Sequence, residues 1–118
     1  MSCFLLGACR SAQRYEAVPA DLDTSAVPQQ TVRMTARKYA FEPELVRVPR
    51  GTLVTLVLTT LDTTHGFALD AYGIDDTVEP GRETVVTFYA AEAGELGFRC
   101  SHFCGLGHLG MNGRLVIE

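Results

Sequence analysis

From Thr31 onward the chain alternates. Val32, Met34 and Ala36 take every second place against Arg33, Thr35 and Arg37, the two-residue period of a strand with one face buried and one wet. Phe41-Glu-Pro-Glu44 reads as a turn, Leu45-Val-Arg-Val48 as the next strand, and Pro49-Arg50-Gly51 as another turn. Residues 52–61 are apolar and rich in β-branched side chains, which predicts a central strand. Residues 62–82, punctuated by Gly66, Gly73, Pro80 and Gly81, read as mostly loop. Residues 83–89 alternate again, Val85, Thr87 and Tyr89 against Val86 and Phe88. Ala93-Gly94 then turns the chain into a strand over 95–100, and residues 113–118 form the closing strand. No segment between 31 and 118 carries a sustained helical stripe with caps. Six or seven short strands at near-regular spacing predict an all-β fold, an antiparallel sandwich or barrel. Such a frame is stiff, and its connecting loops cluster at its ends.

The first thirty residues break this pattern. Residues 10–30 mix Ser, Ala, Gln, Pro and both charges without apolar periodicity and read as a linker. Met1-Ser-Cys-Phe-Leu-Leu-Gly-Ala-Cys9 is apolar, and Leu6-Gly7-Ala8-Cys9 resembles a bacterial lipobox, in which the cysteine is lipidated. The stretch is shorter than a whole signal peptide and has no base before Cys9. We therefore read residues 1–9 as a truncated leader, 10–30 as linker and 31–118 as the domain. A lipid on Cys9 would tether that domain outside the bacterial cytoplasm, in the periplasm or on the outer face of the membrane. The run 52–61 contains Thr55, Thr59 and Thr60, too short and too polar for a transmembrane helix. A length of 118 residues suits one domain with its own core. A net charge of −4 gives no electrostatic reason to hold nucleic acid or an anionic membrane.

The candidate chemistry is concentrated in Cys100-Ser-His-Phe-Cys104-Gly-Leu-Gly-His108-Leu-Gly-Met111. With His65 upstream, the chain's 3 histidines all fall in these two places. Thiolate and thioether are soft ligands and imidazole suits both copper oxidation states, so the donor set points to copper and to single-electron transfer. Cys104, His108, Met111 and His65 alone make a mononuclear blue-copper set. Cys100 adds a second sulfur. The residues between the cysteines can arch so that both thiolates face one point and bridge two copper ions. His65 and His108 then supply one imidazole each, Met111 a weak axial thioether, and the main-chain carbonyl of His102 the remaining donor. Two coppers sharing one unpaired electron spread its charge and lower the reorganisation cost. Cys100, Cys104, His65 and His108 also satisfy tetrahedral zinc, and the two cysteines alone can form a disulfide in an oxidising compartment. Cys3 and Cys9 receive no metal role. With every ligand position filled by protein and no nucleophile or acid–base pair in view, the reading is an electron carrier rather than an enzyme.

These residues resemble the CuA domain of cytochrome c oxidase subunit II, and similarly that of nitrous-oxide reductase, over about residues 40–118. The ligand loop is similar to C-S-x-x-C-G-x-x-H-x-x-M at Cys100, Ser101, Cys104, Gly105, His108 and Met111. His65-Gly-Phe67, Gly73-Ile74 and Pro80-Gly81 resemble H-x-F, G-[VI] and P-G in the same order. The resemblance implies a cupredoxin-like Greek-key β-sandwich or barrel and a dinuclear CuA centre. It pairs His65 with Met111 on one ion and His108 with the His102 carbonyl on the other. It also implies a c-type cytochrome as electron donor and a terminal oxidase or nitrogen-oxide reductase as acceptor. The chain departs from oxidase subunit II in having no Trp, no membrane helix, and His at 102. The His102 side chain is expected to face solvent, with Phe67, Phe103 and Leu109 shielding the site. Asp70, Asp75, Asp76 and Glu79, with no intervening base, suggest an acidic loop that steers a basic partner. A copper chaperone or storage module is the alternative function, and a mononuclear copper carrier or a zinc-stabilised binding domain are further ones.

Overall fold

A computed structural model describes residues 15–118. The leader with Cys3 and Cys9, and the start of the linker, lie outside the described residues.

The strands are β1 (Gln29–Arg37), β2 (Ala40–Glu42), β3 (Leu45–Val48), β4 (Thr52–Thr60), β5 (His65–Leu69), β6 (Ile74–Val78), β7 (Thr84–Ala90), β8 (Gly94–Arg99) and β9 (Asn112–Ile117). They form two sheets, ordered β2-β1-β4-β7 and β3-β9-β8-β5-β6. The alternation read from the sequence sets which faces meet. Met34 and Ala36 of β1, and Val86, Phe88 and Ala90 of β7, point inward. The β4 run, at an interior place in its sheet, is buried on both faces for most of its length. Phe41 from one sheet meets Phe67 and Phe98 from the other, with ring centroids 5.9 and 5.4 Å apart. Each such ring taken out of water contributes about 1.5–3 kcal/mol.

The fold is the expected all-β sandwich, with three differences in detail. First, the sandwich is not purely antiparallel: β1 pairs parallel with β4, and β3 parallel with β9. Second, residues 62–82 are not mostly loop but contain β5 and β6, paired from His65↔Val78 to Leu69↔Ile74. All five residues of β5 are buried, so it has no alternation to read, and β6 buries only its two ends. Third, β2 occupies the Phe41 turn. Residues 15–28, read as linker, lie on the sandwich. Tyr89 N–H of edge strand β7 donates to Ala17 O (2.7 Å), and Tyr15 N–H donates to Ala71 O (2.8 Å). Tyr15 and Ala17 pack on the core, too few contacts to give a period.

Strand direction brings the chemistry together. The end of β4 and the start of β5 share a pole with the end of β8 and the start of β9. Residues 61–64 and 100–111 therefore meet there, beside the β1–β2 turn.

Candidate metal centre

His65 opens β5 and is fully buried; Cys100 follows the last residue of β8, and Met111 precedes β9. Cys104 and His108 lie on the connection between, which is irregular apart from a 3-10 turn at His108–Gly110. Cys100 N–H donates to Met111 O (3.0 Å), closing the loop at its base. Cys100, Cys104 and Met111 are buried.

The two sulfurs are 3.7 Å apart, and both cysteines are free thiols. His65 Nδ1 lies 3.8 Å from Cys100 Sγ. His108 Nδ1 lies 3.7 Å from Cys104 Sγ, and Met111 Sδ lies 3.9 Å from the same atom. The His102 carbonyl oxygen is 3.2 Å from Cys100 Sγ. All six residues singled out in the sequence thus converge, His102 through its main chain while its side chain is exposed. Donor atoms of His65, Cys100 and Cys104 lie within 4.8 Å of one another. Ligands at ~2.0–2.3 Å from a shared tetrahedral ion stand roughly 3.3–3.8 Å apart, so the 3.7 and 3.8 Å contacts match donors that share an ion. The soft donor set fits copper.

Two supports were not visible in the sequence reading. Asp62 Oδ1 lies 2.8 Å from His65 Nε2. A carboxylate only accepts, so Nε2 carries the proton and Nδ1 presents its lone pair to the sulfurs. Asp62 also accepts from Lys38 N–H (2.8 Å) and Thr63 N–H (2.6 Å). Partial burial pushes its carboxyl up, but the hydrogen bonds from Lys38, His65 and Thr63 outweigh that and hold it well below the usual carboxylate range. An acid three places before a ligand histidine was the available signal. The second support is Gly66, whose N–H donates to Cys100 Sγ (3.5 Å). A side chain there would collide with Ser101 and come within 2.6 Å of His102 N.

Burial, with the neighbouring Cys100 thiol, pushes the Cys104 thiol up to about 11. In the metal-free protein it keeps its proton at neutral pH, and metal binding releases it.

The expected shield is only partly there. Phe67 is buried behind the site, but Phe103 and Leu109 are 70% and 91% exposed, as is Leu106 at 99%. These three form an apolar rim rather than a cover. The acids read as a steering loop are also spread out. Asp70 holds Arg99 in a two-pronged pair (3.0 and 3.2 Å), Glu79 pairs with Arg82 (3.4 Å), and Asp75 and Asp76 lie along edge strand β6.

A family model described as a cupredoxin-like domain matches residues 2–117. The chain is 38% identical over 92 residues to nitrous-oxide reductase of Cupriavidus necator, taking in 75% of this chain and 14% of that protein. It is 32% identical over 90 residues to cytochrome c oxidase subunit 2 of Thermus thermophilus, taking in 76% of this chain and 67% of that one. The periplasmic domain of subunit II of cytochrome oxidase from Bradyrhizobium japonicum shares the fold, with a TM-score of 0.70 at 23% identity over 86% of this chain and 87% of that one. Among the described residues no helix is long and apolar enough to cross a membrane.

Proposed function

The chain belongs to the cupredoxin-like domain family, and from that premise we propose that it is an electron carrier with a dinuclear CuA centre, bridged by the Cys100 and Cys104 thiolates. The observation that carries this reading is the pair of buried free sulfurs 3.7 Å apart, each within 3.8 Å of an imidazole Nδ1. A mononuclear site needs one thiolate; the second, equally buried and equally flanked, is explained by bridging. In this reading His65 with Met111, and His108 with the His102 carbonyl, complete the two coordination spheres.

Bound copper supplies a one-electron couple. The chain's own residues do the rest. Cys100 and Cys104 give up their protons on loading. Asp62 keeps His65 in one tautomer, and Gly66 N–H holds electron density on the Cys100 sulfur. The two sheets fix both loops, so the donors move little when charge changes. The domain moves electrons and does no bond chemistry of its own. Its relatives are an oxidase subunit and a reductase, which supports a c-type cytochrome as donor and a terminal oxidase or nitrogen-oxide reductase as acceptor. A location outside the bacterial cytoplasm accords with the name of the periplasmic structural neighbour.

The deciding experiment is electron paramagnetic resonance of the copper-loaded, oxidised protein, with the metal counted. Two copper ions per chain and a hyperfine pattern with more lines than one copper nucleus gives are expected. Cys100→Ser should leave a one-copper signal or none. One ion per chain in the parent, or a two-copper signal that survives Cys100→Ser, overturns the bridge. A colourless protein that takes up zinc alone favours the zinc domain, and rapid copper loss to a mild Cu(I) chelator favours a chaperone.

A further inference from the structure

All the proposed ligands belong to the five-stranded sheet, at the start of β5 and on the β8–β9 connection, yet the opposite sheet touches both places through two consecutive residues. We propose that the tip of the β1–β2 hairpin, Lys38 and Tyr39, is the positioning element of the metal centre. It registers the His65 loop and the Cys104–His108 loop against each other. The inference rests on the metal-centre reading, but its contacts are properties of the protein alone.

The first contact runs through the main chain. Lys38 N–H donates to Asp62 Oδ2 (2.8 Å), and the other oxygen of that carboxylate holds His65 Nε2 (2.8 Å). His65 is thereby referred to the hairpin tip through a single side chain. Asp62 cannot swing away without abandoning a main-chain donor.

The second contact is the Tyr39 ring, which lies against the main chain of the ligand loop at Gly105 and Gly107. A methyl group at Gly107 would come 2.5 Å from Tyr39 Cδ2 and 2.6 Å from Cγ, and one at Gly105 would collide with Tyr39 Oη. Gly105 directly follows Cys104, and Gly107 directly precedes His108. The ring therefore meets the backbone at the residues that adjoin two donors. Leu106, between them, is turned outward. Tyr39 is itself 38% exposed, so burial in the core does not account for its place. The loop it touches has no ladder partner of its own, and within the closing bond from Cys100 N–H to Met111 O (3.0 Å) its main-chain bonds are those of the short turn, from His108 N–H to Gly105 O, Gly110 N–H to Gly107 O and Met111 N–H to His108 O (3.1 Å each). A loop held so lightly from within takes its geometry from outside contacts.

Gly107 offers a clean test. Its φ of −92° is open to any residue, and the three atoms nearest to an added methyl all belong to Tyr39. The test is a double-mutant cycle on the metal-free protein, with Tyr39→Phe as the conservative control, read by thermal unfolding and by amide hydrogen exchange over residues 104–108. Tyr39→Ala should raise exchange in that loop by about tenfold or more with little change in β1 and β4, and Tyr39→Phe should stay within about twofold of the parent. Gly107→Ala should lower the unfolding temperature in the parent and have little effect in the Tyr39→Ala background. In the copper-loaded protein, Tyr39→Ala should broaden or split the copper spectrum, and Tyr39→Phe should restore one species. Equal effects of Gly107→Ala in both backgrounds, or unchanged loop exchange in Tyr39→Ala, overturn the proposal. If the parent binds no copper, the metal-centre reading fails, and the metal-free cycle still decides the clamp.

Discussion

Asp62 shows how much one side chain outside the ligand set controls. His65 is fully buried, and its Nε2 proton is satisfied by Asp62. Asp62→Ala leaves that N–H without its acceptor, at a cost of about 1–3 kcal/mol in the metal-free protein. It also frees the ring to turn, and loss of such a support typically weakens metal binding by about 10–100-fold. Thermal unfolding without metal and copper titration by competition check the two effects separately; unchanged copper affinity would remove Asp62 from the site. Cys104 makes a prediction of opposite pH sense from a depressed acid. Its folded value is raised, to about 11, so the folded chain holds the proton more tightly than the unfolded one. That stability is intact below about pH 9, the ordinary thiol value, and is lost as pH rises through about 11. Metal-free protein should unfold at falling temperature over that window. Cys104→Ser, which removes this thiol and keeps Cys100, should show a flatter alkaline limb, and an equal slope in both proteins would show that the Cys104 thiol is not the cause.

At the scale of elements, β5 is where sequence reading and structure part. The outer frame was legible: alternation in β1 and β7, and β-branched density in β4, follow directly from one-face or two-face burial. β5 was not, because His65-Gly-Phe-Ala-Leu69 is buried throughout, and a short buried run has no period. β6 was hidden by Asp75 and Asp76, which face outward on an edge where charge discourages further pairing. The parallel pairings were invisible for another reason: side-chain pattern gives each strand's faces but not its neighbour's direction. The candidate donors stood out because metal chemistry constrains residue type and spacing together, and the fold brings them near one another. Its supports, Asp62 and Tyr39, belong to other loops that only the folded chain brings near. Gly66 joins the two levels. It lets β5 approach the main chain at Ser101 and His102, and this approach sets the distance from His65 to Cys100. Gly66→Ala puts a methyl against main-chain atoms that cannot yield without moving the arch between the cysteines. Far-ultraviolet circular dichroism should remain that of a β-sandwich, with stability lowered by about 1–3 kcal/mol and two-copper binding lost. Retention of the parent copper spectrum would show that the arch has slack.

At the scale of the whole molecule, the ligand loop presents an uncharged surface to solvent, with the exposed Lys38 and Asp62 beside it. Between Arg99 and Arg114 the chain carries no Asp, Glu, Lys or Arg, and Phe103, Leu106 and Leu109 stand out from it. Charge is placed elsewhere and largely in pairs: Asp70 with Arg99, Glu79 with Arg82, Glu95 with Arg114 and Arg33 with Glu83. Each pair looks nearly neutral from beyond a Debye length, about 10 Å at 0.1 M salt. The ligand loop itself thus contributes nothing to the net charge of −4, and beside it Asp62 and Lys38 carry opposite charges. Long-range steering of a basic partner should be weak in such a field, and the exposed Phe103, Leu106 and Leu109 are the side chains that would meet it. Electron exchange with a c-type cytochrome should accordingly change by less than about threefold between about 10 and 200 mM ionic strength. Leu106→Asp, on a side chain that touches no copper donor, should slow association while leaving the copper spectrum unaltered. A steep fall in rate with salt in the parent, or a Leu106→Asp variant that exchanges electrons as fast as the parent, would place the docking face on the acidic flank of β6 instead.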